Sequence, residues 1–101
     1  MDQIERIEKM EGILNRYREK LDGANRVLAE LEEAQTEYQQ LREYYGSEEF
    51  FKDTEDADTG RLPENVPCGV LSGDAVSDLI TDQFNLAVRM LELSSQILQK
   101  H

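Results

Sequence analysis

The chain has no Trp, one Cys, two Pro, and aromatic residues at only 7% of its 101 positions. Strand signals are almost absent, because β-branched and aromatic residues nowhere alternate with polar ones. That argues against a sandwich or barrel. A single Cys cannot form an internal disulfide, so nothing points to an oxidising compartment. Uninterrupted apolar runs reach only about three residues, far short of a membrane span. The opening MDQIERIEKM carries no apolar signal core, and no lipidation motif is present. Positive charge is also scarce: 11 Lys and Arg stand against 22 Asp and Glu, a formal net charge of -11. This opposes sequence-independent attraction to phosphate backbones or anionic lipid. The expectation is a cytoplasmic protein that binds neither nucleic acid nor membrane.

What is present is amphipathic helix. A chain of this length is expected to be one domain, residues 1–101, with a thin core. Apolar residues recur at Ile4, Ile7, Met10, Leu14, Tyr17, Leu21, Ala24, Leu28 and Leu31 in steps of three and four, as a helix with one apolar seam requires. The stripe continues through Ala34, Tyr38, Leu41 and Tyr45, which predicts one helix over about 2–45. Asp22 and Gly23 form a turn signal, and Gly costs about 1 kcal/mol relative to Ala inside a helix. The seam nevertheless keeps its phase from Leu21 through Ala24 to Leu28, which favours continuity over a hairpin. Glu5 and Lys9 have the favourable i,i+4 order for an ion pair.

Gly46 then ends the first helix and Ser47 caps a second, over about 47–58, whose first turn carries Glu48 and Glu49. Phe50, Phe51, Thr54 and Ala57 are expected to pack, and Asp53, Glu55, Asp56 and Asp58 to face water. Pro63 and Pro67 exclude regular helix from the segment that follows, 59–71. Its apolar Leu62, Val66, Val70 and Leu71 mark it as an ordered strap. Ser72 offers an N-cap for a last helix over about 72–99, with apolar residues around half its circumference, wider than one partner helix covers. The expected fold is all-α: a long helix, a short acidic helix, a Pro-containing strap and a C-terminal helix, forming a coiled-coil-like antiparallel hairpin.

The run YYGSEEFFKD, followed by GRLP and GVLSGDAVSDL, resembles the bacterial domain-of-unknown-function family numbered 4298. In that family an acidic helix precedes an LP turn and a GVLSEDA-like helix start. The resemblance spans nearly the whole chain, and its specific part is 44–80. The family commonly has an aromatic, often Trp, near Phe50 or Phe51, Glu where this chain has Gly73, and Tyr where it has Ser77. The resemblance implies an intracellular bacterial helical protein and no particular activity.

No catalytic constellation emerges. Cys68 lacks a basic neighbour, and the only His is the terminal His101. Asp53 and Glu64 have the spacing of the first and last ligands of an EF-hand loop. The interior fails, however: Ala57 and Asp58 stand where an oxygen ligand and the turn glycine belong. The six glycines are scattered, so no phosphate loop exists. No metal, cofactor or enzymatic role is expected. The sequence points to a non-enzymatic protein–protein interaction or self-associating module, its partner a second copy or a basic protein. The candidate surface combines Leu62, Pro63, Val66, Cys68 and Val70 of the strap with Leu86, Met90, Leu93 and Ile97 of the last helix. The alternative is a small-molecule or metal site at the 62–71 strap. Against it stands simple packing, in which Leu62, Pro63, Val66 and Val70 plug the helix ends.

Overall fold

A computed structural model describes residues 2–101. It is all-α, with helices α1 (Gln3–Tyr45), α2 (Glu48–Asp58) and α3 (Ala75–Gln99), a single 3-10 turn (Gly69–Leu71) ahead of α3, and no strand among the described residues. The chain divides into two compact units, Met1–Gln39 and Gln40–His101.

The first unit is helix α1 alone. Asp2 opens it as an N-cap, its carboxylate accepting the Glu5 N–H at 2.8 Å. The helix passes through Gly23 without a break, as the uninterrupted phase of the seam predicts. The expected ion pair of Glu5 with Lys9 is not formed; the salt bridges found among the described residues all lie in the second unit. Solvent competes effectively for charges this exposed. The seam itself is uncovered: Ile4, Ile7, Met10, Leu14, Tyr17 and Leu21 are each about half exposed or more.

In the second unit, the end of α1 joins α2 through Gly46 and Ser47. The Ser47 hydroxyl donates to the Tyr44 carbonyl at 2.7 Å and accepts from the Phe50 N–H at 3.2 Å. One side chain thus satisfies an orphan acceptor of one helix and an orphan donor of the next. Helix α2 ends in a Schellman arrangement: Arg61 N–H reaches the Asp56 carbonyl at 2.8 Å and Gly60 N–H the Ala57 carbonyl at 3.3 Å. Gly60 takes φ of 72°, which only glycine adopts cheaply. The apolar contact that usually seals this motif is replaced by an ion pair, Arg61 with Asp56 at 3.5 Å.

The strap then leads to the 3-10 turn, which touches both α2 and α3. Helix α3 begins later than the predicted residue 72: Asp74 is its N-cap, without a side-chain bond, and Ser72 Oγ accepts the Ala75 N–H at 3.3 Å across the turn formed by residues 73 and 74. Val76, on the first turn of α3, is 2% exposed and is the one fully buried hydrophobic residue among those described. Leu62, Val70, Leu71 and Ile80 are half-buried. Beyond Gln83 every residue of α3 is exposed, so the broad apolar face of this helix is uncovered along most of its length.

Candidate functional site

Four aromatic rings cluster where α1 gives way to α2. Phe50 meets Tyr44, Tyr45 and Phe51 edge-on, at centroid separations of 5.5, 5.2 and 6.2 Å. Such T-shaped contacts set the positive ring edge against the negative face. Phe50, Thr54 and Ala57 turn inward as expected, but Phe51 does not: it is 70% exposed. Adjacent helical residues differ by about 100° in direction, so α2 can bury only one of the two phenylalanines.

The inward place assigned to Phe51 is taken by an acid. Asp53 is half-buried and accepts a 2.6 Å hydrogen bond from the Tyr44 hydroxyl. Asp56 is also half-buried, held between Lys52 at 3.6 Å and Arg61 at 3.5 Å. The expectation that Asp53, Glu55, Asp56 and Asp58 all face water is therefore corrected for Asp53 and Asp56. Asp53 sits three positions after Phe50 and four before Ala57, on the packed side of the helix, and Asp56, three positions after Asp53, lies at that side's edge; each has found a partner. Glu48, Glu49, Glu55 and Asp58 remain exposed. Thr54 Oγ1 is buried with no hydrogen-bond partner among the described residues. No group of three His, Cys, Asp or Glu side chains among the described residues converges as metal ligands would.

The bond to Asp53, with desolvation and the charges of Asp53 and Glu49 as lesser causes, pushes the Tyr44 phenol up to about 12 from its usual value near 10. A folded-state value above the unfolded one means the neutral phenol is stabilised by folding. Its contribution is complete below pH 10 and is lost as pH rises from 10 toward 12. Spectroscopic titration should therefore show a late tyrosine phase near pH 12. In Tyr44→Phe that late phase should disappear, together with the stability loss over the same alkaline window.

Among the sequence-predicted surface residues, Leu62, Cys68 and Val70 are half-buried, whereas Pro63 and Val66 are exposed. Only Leu62 and Val70 of the four expected plugs thus pack. The Cys68 Sγ lies 3.3 Å from the Val66 carbonyl, a local contact within the strap. On α3, Leu86, Met90, Leu93 and Ile97 follow one another by four, three and four residues, which aligns them on one side of the helix. All four are exposed, from 36% at Met90 to 55% at Leu93. The structure also marks a surface that was not singled out from sequence. On α1 a shallow depression is lined by Arg6, Ile7, Met10, Glu11 and Leu14. Its signal in the sequence is the heptad spacing of the α1 seam.

No helix among the described residues is long and apolar enough to cross a membrane. A search of curated proteins found no match. The family model described as a domain of unknown function (DUF4298) matches residues 7–93, taking in α2, the strap and most of both long helices. The resemblance carried by residues 44–80 is thereby confirmed, and the chain belongs to this family.

Proposed function

We propose that the chain is a non-enzymatic protein–protein interaction module of the cytoplasm whose exposed apolar helix faces are completed by association, in the first instance with itself. One observation carries this reading. A chain of 101 residues fully buries one hydrophobic residue among those described, Val76, while leaving ordered apolar stripes in water on α1 and α3. Amphipathic helices derive most of their stability from burying such a stripe, and isolated helices are marginal in water. Contiguous exposed apolar surface is the usual mark of an interaction site. The compartment suits the lone free thiol, Cys68, which has no partner to oxidise with inside the chain.

Light scattering on a sizing column, run over a wide concentration range, tests the proposal. The expected result is a mass at least twice the 11.7 kDa of one chain, with a melting temperature that rises with concentration because folding and association are linked. A single-chain mass at every concentration, combined with a cooperative and concentration-independent melt, would overturn it.

A further inference from the structure

Building on that self-association, we infer that the surface that pairs is the first half of α1, residues 6–31, and that two copies pair there as a parallel, in-register coiled coil. Taking Ile7 as a heptad position a, the seam runs without a fault: Ile7, Leu14, Leu21 and Leu28 at a, and Met10, Tyr17, Ala24 and Leu31 at d. The phase breaks after Leu31, where two three-residue steps follow one another to Ala34. Both helix-weakening residues lie away from the seam, Gly12 at f and Gly23 at c. All eight seam residues are on one continuous helix, and most of them are strongly exposed.

The shallow depression on this helix supplies the first specific argument. In a coiled coil each knob enters a hole made by four residues of the facing helix. For a knob from position d of a parallel partner, those four are the a, d and e residues of the facing heptad and the next a. Here they are Ile7, Met10, Glu11 and Leu14, and these are four of the five residues lining the depression. The fifth, Arg6, occupies position g.

Charge supplies the second. Parallel in-register pairing sets each g residue beside the e residue five positions later in the partner, which matches Arg6 with Glu11, twice per dimer by symmetry. Neither residue forms a salt bridge among the described residues. The remaining g to e pairs, Ile13 with Arg18, Lys20 with Asn25 and Val27 with Glu32, contain no like charges. The antiparallel arrangement that pairs a with d over the same residues sets Ile7 against Leu31. It also brings Arg18 against Arg18 and Lys20 against Lys20 at the dyad, where like charges repel. The complementarity selects a second copy, in parallel, as the occupant.

Disulfide trapping distinguishes the possibilities. In a Cys68→Ser background, Ile7→Cys brings two thiols face to face in the parallel dimer, within the ~4.4–6.8 Å Cα separation a disulfide spans. In the antiparallel one they are about 36 Å apart. Mild oxidation should convert most of Ile7→Cys to covalent dimer and little of Glu19→Cys, an outward f position. In addition, Glu11→Arg should weaken dimerisation about tenfold, and combining it with Arg6→Glu should restore it. Cross-linking only when Ile7→Cys and Leu31→Cys chains are mixed would overturn the parallel assignment. A dimeric mass with no trapping in either case would overturn the α1 interface while leaving self-association standing. A monomeric mass throughout would end both.

Discussion

Val76→Asp is expected to unfold the second unit outright. The side chain is 2% exposed at the start of α3, and the 3-10 turn beside it is the element that touches both α2 and α3. A carboxylate placed there would be taken out of water at a position 2% exposed. An unpaired buried charge costs several kcal/mol. A unit of this size holds only about 0.05–0.15 kcal/mol of stability per residue. The two quantities are comparable, so the substitution should remove the folding transition rather than shift it. Val76→Ala, which removes two methyl groups at about 0.8 kcal/mol each and leaves part of the void, should cost about 2 kcal/mol and leave a measurable transition. Urea denaturation followed by circular dichroism reads both. A wild-type midpoint for Val76→Asp would show that the unit is not organised on this residue.

Phe50→Ala should give the next largest loss, about 2–3 kcal/mol. Full burial of a phenylalanine side chain is worth more, about 3–5 kcal/mol on truncation, but Phe50 is half-buried. What raises its cost above area alone is its position, in edge-on contact with three other rings. Phe51→Ala is the internal control. It carries the same ring on the same helix, but 70% exposed with one aromatic neighbour, and should cost less than about 1 kcal/mol. Equal losses at the two positions, measured as the shift in urea midpoint at constant slope, would contradict the assignment of Phe50 as the hub.

The contrast between these neighbours marks the boundary of what the sequence makes legible. Signals written in local backbone chemistry can be read directly. Ser47 is a cap, Pro63 and Pro67 exclude helix, and the phase kept across Gly23 means one continuous helix. Each depends on residues within a turn or two. Which of two adjacent rings turns inward depends on where the strap and the start of α3 lie, and spacing does not encode that. The same holds for Asp53 and Asp56, which look like solvated charge until Tyr44 and Arg61 are placed beside them. The apolar stripes were legible as stripes. A stripe that serves the chain's own core and one that serves a partner have the same periodicity, and only the exposure of Ile7, Leu14, Leu86 and Leu93 separates the two.

The joint between α1 and α2 has a consequence for how members of this family can differ in length. Ser47 bonds backward to Tyr44 and forward to Phe50 at once, so the two helices share a hinge pin with no spare residue in it. One residue inserted there would change the spacing that lets Ser47 reach both Tyr44 and Phe50, so at least one of its two bonds would be lost. The displacement of α2 would also take Asp53 from Tyr44 and Phe50 from its ring partners on α1. The strap between Arg61 and Cys68 is mostly exposed, and one backbone bond, Val66 N–H to the Pro63 carbonyl, is formed within it. An inserted residue is therefore expected to cost little stability in the strap and to disrupt the second unit at the pin.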